Sequence, residues 1–285
     1  MIFDALGAHL NRSRRYLPLA YSRSDWLSFA LLGAAPRGRF SFVTRQFFPE
    51  LVVRPGLLGG LKVALNPADR SHIAVFDELF FDNGYDLGLI PFTPDQIFDC
   101  GGHIGMFSLL AHGRYPAAGQ TIFEPNPNNM EWIRRQAQLN ALNIETVQAA
   151  VSVRDGEALF EDRASYSGHL VEKSTTSVPK SHDWVSRMVG EPRGCYAVRV
   201  IDLAARLSQR RPQRLLLKLD VEGEEIRIIP TLFDVFPRHT AVFFETHYGK
   251  ADWDWASRQF REHGFVVECQ RSIGDYFING FALRH

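Results

Sequence analysis

Cysteine is scarce in this chain of 285 residues: Cys100, Cys195 and Cys269 are odd in number and widely spaced. They offer neither a disulfide framework nor a cysteine metal cluster, and a reducing compartment follows. Net charge is absent as well. Lys plus Arg and Asp plus Glu number 32 each, so no overall field draws the chain to nucleic acid or to an anionic membrane. No apolar run approaches the ~20 residues of a membrane span. Asp4, Arg12, Arg14 and Arg15 around the first apolar stretch do not suit a signal peptide. These absences predict a soluble cytoplasmic protein without a nucleic-acid partner, and they leave the oligomeric state unread. The length suits one large domain with a real core, or one domain plus an extension.

What is present is a regular alternation of strand and helix signals. Strands are predicted at 97–100, 120–124, 146–151, 214–220 and 240–246, and helices at 103–112, 127–142, 224–229 and 252–263. In the second helix Met130, Ile133, Ala137 and Ala141 recur at helical spacing. Two further strand-like runs, 264–269 and 276–283, are joined by a loop carrying Gly274-Asp275 and predict a terminal hairpin. The class is α/β: five parallel strands followed by an antiparallel pair. Residues 1–60 are basic and aromatic, with helix-like stretches at Met1–Leu10 and Ser24–Leu32 and no clear sheet pattern, and are expected to form a mainly helical extension. The main domain then runs over 61–285. Its lead-in (61–96) holds a short strand at Leu61–Leu65 and a helix at His72–Phe81 that ends near Asn83-Gly84. An insertion at about 153–200, between the third and fourth sheet strands, is expected above the sheet edge and is where a substrate would be met.

The most informative segment is Ile97-Phe-Asp-Cys-Gly-Gly-His-Ile-Gly105, followed one strand later by Ile122-Phe-Glu-Pro-Asn126. A buried strand delivers Asp99 to the carboxyl edge of a parallel sheet, where open α/β sheets place their ligands. Gly101 and Gly102 let the main chain approach a ligand closely, and Gly105 permits tight helix–strand packing. His103 sits within that turn. Glu124 ends the next strand, where a carboxylate can accept hydrogen bonds from both hydroxyls of a ribose. Asn126-Pro127 supplies a helix cap and first turn. A glycine turn alone also suits a strand–helix bend with no ligand; the carboxylate one strand later turns the reading towards a nucleoside-containing cofactor.

A second constellation is Leu215-Leu-Leu-Lys-Leu-Asp-Val-Glu-Gly-Glu-Glu225. Asp220 reaches the same sheet edge as Asp99, with Glu222 in the turn behind it. Carboxylates gathered at a strand end are costly unless they meet cations, metal or donors. Helix-start acidity accounts for Glu224 and Glu225 more easily than for Asp220. The next strand ends Val242-Phe-Phe-Glu-Thr-His247, so Glu245 and His247 share one face. That pair suits deprotonation of a hydroxyl, and equally a structural hydrogen bond.

Together these segments resemble the FkbM-type family of S-adenosylmethionine-dependent methyltransferases. The stretches that carry the resemblance are Ile97–Gly105, Phe123–Asn126, Ala150–Ser152, Ile201–Leu203, Lys218–Glu225 and Glu245–His247, with Val75–Phe80 and Tyr85 similar to the family's lead-in. His103 and Gly102 depart from the Asn and Ala common there. The resemblance covers about 61–285 and implies a seven-stranded Rossmann-like sheet, mostly parallel with a C-terminal antiparallel hairpin. It also implies S-adenosyl-L-methionine as cofactor and methyl transfer to oxygen on a sugar or secondary metabolite, a small-molecule or glycan acceptor. By position, Asp99, Gly101 and Gly105 would surround the methionine moiety, with Gly102 and His103 beside them. Glu124 would hold the ribose, Ala150 would border the adenine, and Asn126 and Tyr85 would complete the cofactor set.

For such a transfer, holding the reacting atoms in line is worth ~7–11 kcal/mol. A general base adds roughly 10²–10⁴-fold. Asp220, Glu222, Glu245 and His247 are the candidates to orient or deprotonate the acceptor, His247 being favoured for its near-neutral pKa. No metal site is assigned; a divalent ion bridging Asp220 and Glu245 is a rival with an incomplete ligand set. A nicotinamide-dependent oxidoreductase would use the same ribose carboxylate, but the G-x-G-x-x-G turn is broken here. A non-catalytic cofactor-binding module is the remaining alternative.

Overall fold

The computed structural model describes residues 15–34, 49–82, 84–162, 168–171, 194–273 and 277–285. The reading of Met1–Leu10 and of the Gly274-Asp275 loop lies outside them. The chain divides into two compact units. One comprises Met1–Asn83, Ile104–Pro116 and Trp132–Asn143; the other comprises Gly84–His103, Ala117–Glu131 and Ile144–His285.

In the first unit, α1 (Trp26–Ala34) follows a single turn at Arg23–Asp25 whose Ser22 and Asp25 form a reciprocal cap. The strands β1 (Leu51–Val53) and β2 (Val63–Leu65) pair antiparallel. β1 falls in the stretch that shows no sheet pattern in sequence, because three residues are too few to display alternation. Helix α2 (Arg70–Phe81) is capped by Asp69, whose carboxylate accepts from the Ser71 amide. Helix α3 (Met106–Arg114) starts later than the predicted residue 103, since the chain is still turning at 103–105. Gly105 has φ +82° and a Cβ there would meet Ile133 and Gln136, so the close packing it permits is against a helix and not a strand.

The second unit holds a seven-stranded sheet. Its strands are β3 (Gln96–Cys100), β4 (Gly119–Phe123), β5 (Glu145–Val147), β10 (Arg214–Leu219), β11 (His239–Thr246), β12 (Val266–Ile273) and β13 (Phe277–Arg284), in the order β12-β13-β11-β10-β3-β4-β5. Five run parallel, and β13 pairs antiparallel with both β11 and β12. The predicted strand 146–151 is two strands. β5 stays in the large sheet, while β6 (Ala150–Ser152) joins β7 (Gly156–Asp162), β8 (Gly168–Val171) and β9 (Gly194–Asp202) in a four-stranded sheet ordered β6-β9-β7-β8. The break lies at Gln148, which is exposed between two otherwise apolar stretches and is followed by an Ala149 amide bonded to Val147 O at 2.9 Å. The described part of the 153–200 insertion is thus mostly sheet.

Helix α4 (Pro127–Leu139) begins in this unit. Helices α5 (Leu203–Arg210), α6 (Glu225–Leu232) and α7 (Lys250–Glu262) complete its elements. Leu215, Leu216, Leu217 and Leu219 are fully buried, as befits a strand covered on both faces. Each such Leu contributes roughly 1.5–3 kcal/mol of hydrophobic stabilisation. From β3 the chain moves outward through β4 to β5, and later returns to build β10 and β11 on the other side. The sheet therefore has its switch point between β3 and β10, the place where α/β sheets open a crevice.

Candidate active site

The carboxyl ends of the central strands lie side by side: Cys100 pairs with Phe123 and with Leu219, and Leu219 with Phe244. At the switch point the backbones almost touch. A Cβ on Gly101, which has φ +82°, would lie 1.8 Å from the Asp220 carbonyl oxygen, and the Asp220 amide donates to Cys100 O at 3.2 Å. The amides of Gly101 and Gly102 both donate to Phe123 O at 3.0 Å. His103 follows in the left-handed region, φ 48°, which is unusual for a residue with a Cβ and marks a constrained bend.

Glu124 turns back into that bend. Its Oε2 accepts the His103 amide at 2.8 Å and its Oε1 accepts the Asn126 amide at 2.8 Å. Burial pushes its pKa up to about 7, against the opposing effect of those backbone bonds. Oε1 also accepts from Asn129 Nδ2 at 3.4 Å, so Oε2, with a single donor, keeps the lone pair it can offer a ligand hydroxyl. The Asn126 side chain is engaged within the protein: Oδ1 caps α4 through the Asn128 amide at 2.9 Å, and Nδ2 donates to Asp162 at 3.2 Å. Ala150 is buried on the small sheet beside Phe160 and Val198.

On the other side of Gly101 lies a dense ionic cluster. Lys218 Nζ donates to Gly101 O at 2.7 Å and stands 3.1 Å from Asp220 and 3.7 Å from the fully buried Asp99. Burial alone would lower the Lys218 pKa, but Asp220 and Asp99 more than reverse this and hold it charged. Burial works on Asp220 in the other direction, and there Lys218 and His247 prevail, keeping its pKa below the usual carboxylate range.

His247 is the hub. Its Nε2 lies 3.4 Å from Asp220, 3.7 Å from Glu222 and 3.8 Å from Glu245, while Nδ1 lies 3.4 Å from Glu225. Glu245 and His247 thus meet as their alternation on β11 requires. Burial opposes its protonation, but Glu222 and Glu225 outweigh it and raise the pKa well above the ordinary 6.5. The imidazole is thus pushed away from the expected near-neutral pKa, because four carboxylates from two chain segments, 220–225 and 245, converge on it. Glu225 also ties down its own loop, accepting the amides of Val221 at 2.6 Å and Gly223 at 2.8 Å. Glu222 is left as the poorly compensated member. It has φ 56°, its carboxylate keeps 27% exposure, and burial raises its pKa to about 8 despite His247. Ligand atoms of Asp220, Glu225 and His247 lie within 4.8 Å of one another, a spacing that also suits a metal ion. Both His247 nitrogens already face carboxylates, which favours the ion-pair arrangement.

A narrow cleft beside the cluster, too tight to admit a water molecule, is lined by Tyr85, Lys218, Asp220, Phe243, Glu245 and Asn279, among others. Tyr85 stands edge-on to Phe243 at 5.6 Å and lines the same cleft as Asp220 and Glu245. Sequence reasoning gave Lys218 no role. The signal was present: a single cation inside the run Leu215–Leu219 has to be buried and paired.

The protein has recognisable relatives. Methyltransferase 1 of Beauveria bassiana (strain ARSEF 2860) is 27% identical over 232 residues, covering 78% of this chain and 92% of the relative. The 31-O-demethyl-FK506 methyltransferase FkbM of Streptomyces tacrolimicus is 28% identical over 218 residues, covering 69% of this chain and 83% of the relative. Among solved structures, M. jannaschii TYW2 in complex with AdoMet aligns with a TM-score of 0.43 at 10% identity, over 83% of this chain and 87% of that one. The model of the methyltransferase FkbM domain matches residues 99–272, from the Asp99 strand end to β12. The chain belongs to the FkbM family of methyltransferases.

Proposed function

We propose that the protein is an S-adenosylmethionine-dependent O-methyltransferase acting on a hydroxyl of a small metabolite or sugar, built on a Rossmann-like class I sheet. The observation that carries this reading is the closure of Glu124 onto the glycine bend through the His103 amide at 2.8 Å, which aims a buried carboxylate at the switch-point crevice. Such a group fits the two hydroxyls of an adenosyl ribose, so the residues present suit the cofactor. When bound, S-adenosylmethionine supplies a methyl group already activated on a sulfonium.

The chain's own residues do the rest. Glu124 holds the ribose, and Gly101, Gly102 and the constrained His103 shape the bend that faces the methionine end. Lys218 locks Gly101 O and Asp220 to each other, fixing the floor between the two halves of the crevice. Asp220 and Glu245, which line the same narrow cleft at the strand ends, orient the acceptor hydroxyl. Glu222, with a pKa raised to about 8, takes the proton, and His247 is a positioning residue that gathers the carboxylates. The similarity to an O-demethyl-FK506 methyltransferase supports an oxygen acceptor.

Isothermal titration with S-adenosylhomocysteine and with NAD tests the cofactor. Labelled-methyl transfer to a panel of hydroxylated metabolites and glycosides tests the reaction. Binding of S-adenosylhomocysteine without transfer to any member would favour the non-catalytic alternative, and preference for NAD would overturn the assignment.

A further inference from the structure

Two consecutive residues at the end of β11 grip Glu222 at opposite ends. His247 takes the side chain, with Nε2 3.7 Å from the Glu222 carboxylate. Tyr248 takes the backbone: its hydroxyl donates to the Glu222 carbonyl oxygen at 3.4 Å. The Tyr248 ring then presses on the next residue of that turn. Gly223 has φ +106°, and a Cβ there would lie 2.4 Å from Tyr248 Cε2, 2.6 Å from its hydroxyl oxygen and 2.9 Å from Cζ. Glycine is therefore needed twice at this position, for its backbone angle and for the room it leaves the ring.

Glu222 is a residue that has to be held. Its φ of 56° lies in the left-handed region, which a residue with a Cβ keeps only under constraint from its surroundings. Glu225 supplies part of that constraint by accepting the amides of Val221 at 2.6 Å and Gly223 at 2.8 Å. Those bonds secure the residues on either side of Glu222. Tyr248 secures the carbonyl of Glu222 itself. Its side of the turn faces outward, since Tyr248 stays 46% exposed and so does not serve to fill the core.

The two side chains also feel each other. Burial makes the Tyr248 hydroxyl harder to ionise, and the charges of Glu222, Glu225 and Asp252 add to this against the opposing effect of His247. Around Glu222 stand Lys218 and Asp220 from the end of β10, Glu225 from the start of α6 and His247 from the end of β11, with Glu245 sharing the His247 imidazole and Asp252 of α7 acting on Tyr248. None of these charges is the largest influence on Glu222. Burial is, so whatever covers the turn governs the carboxylate.

We propose that Tyr248 is a positioning residue for the methyl transfer: seated on Gly223 and bonded to the Glu222 carbonyl, it fixes the Glu222 carboxylate in place and shields it from water. The inference rests on the reading of Glu222 as the group that takes the acceptor's proton.

Carboxyl-selective ¹³C labelling of glutamate, with Glu222→Gln to assign the signal, follows the Glu222 titration in the full ligand-free chain. The wild-type signal is expected to titrate near about 8. Tyr248→Ala wets the turn and should bring the midpoint down to about 7. Gly223→Ala should act the same way with Tyr248 still present, because the added methyl displaces the ring. Tyr248→Phe keeps the ring and should restore a midpoint close to wild type. Circular dichroism confirms folding, and the Ala and Phe variants at 248 decide the matter should Gly223→Ala unfold. With any acceptor the panel turns over, Tyr248→Ala should lower kcat roughly 10- to 100-fold and leave KM nearly unchanged. An unmoved midpoint in Tyr248→Ala overturns the proposal. So does a raised KM at constant kcat, which would make Tyr248 an acceptor contact. Unchanged kcat in Glu222→Gln is a separate result: it removes the reading of Glu222 as the proton acceptor, whereas the titrations report only whether Tyr248 governs that carboxylate.

Discussion

A methyl group added to Gly101 would sit 1.8 Å from the carbonyl oxygen of Asp220, closer than any real side chain approaches backbone. The ends of β3 and β10 are in contact there, and only a hydrogen fits between them. Gly101→Ala is therefore expected to cost at least ~2 kcal/mol, from the left-handed φ and from forcing the strands apart. Gly264 provides the control: it also has φ +82°, but nothing lies within 4 Å of its absent Cβ. Gly264→Ala should cost only about 1 kcal/mol. Equal urea midpoints for the two variants would show that the contact at the switch point is not under steric control.

Lys218 compensates Asp220 at 3.1 Å and Asp99 at 3.7 Å in a site without room for bulk water. Lys218→Met keeps the stem and removes the charge, leaving two carboxylates facing each other. Breaking a buried pair in this way typically costs ~3–5 kcal/mol. The sign of the pH effect follows from Asp220, whose depressed folded pKa contributes stability above the ordinary 3.8 that is lost as pH falls through the folded value. The variant lacks that contribution, so its deficit against wild type should stay large from pH 7 down to about pH 4 and shrink only below that. A deficit independent of pH would mean that Lys218 acts through packing alone.

For Glu124 the sign is opposite. Its folded pKa of about 7 exceeds the ordinary 4.5, so the native state binds more protons than the unfolded chain across that window. Stability of the ligand-free protein should fall as pH rises from about 4.5 to about 7, by roughly 3 kcal/mol. Glu124→Gln should flatten that slope in a series of melting temperatures, and it should also weaken S-adenosylhomocysteine at least ~10-fold. A variant that flattens the slope but keeps full affinity would detach the carboxylate from the ribose.

The frame of the sheet is legible in sequence because it is written locally. β3, β10 and β11 are apolar runs long enough to need burial on both faces, and each ends in an acidic residue or a glycine turn. The split of 146–151 into β5 and β6 is not legible, since Thr146–Val151 reads as one run and only the turn at Ala149 divides it. The ionic cluster shows the same limit. Asp220, Glu222, Glu245 and His247 can each be picked out as chemistry-bearing, but their protonation depends on neighbours brought together from two segments, 218–225 and 245–247. The pKa of His247 was therefore beyond reach, even though its partnership with Glu245 follows from alternation.

Which of Glu222 and His247 receives the acceptor's proton can be decided by the pH dependence of kcat, once an acceptor in the panel is turned over. Glu222 must be ionised to act, and with a pKa raised to about 8 it is mostly protonated at pH 7. The rate should therefore climb through about pH 8 and level off above it. Glu222→Gln should lower kcat by roughly 10²–10⁴-fold and leave the remaining rate flat across this range. His247→Gln removes the nearest positive charge, 3.7 Å from the Glu222 carboxylate, which otherwise lowers the Glu222 pKa. In that variant the rising limb should persist and move to higher pH. Were His247 the base, the limb would disappear with it while Glu222→Gln kept the limb in place, and the roles assigned to the two residues would have to be exchanged.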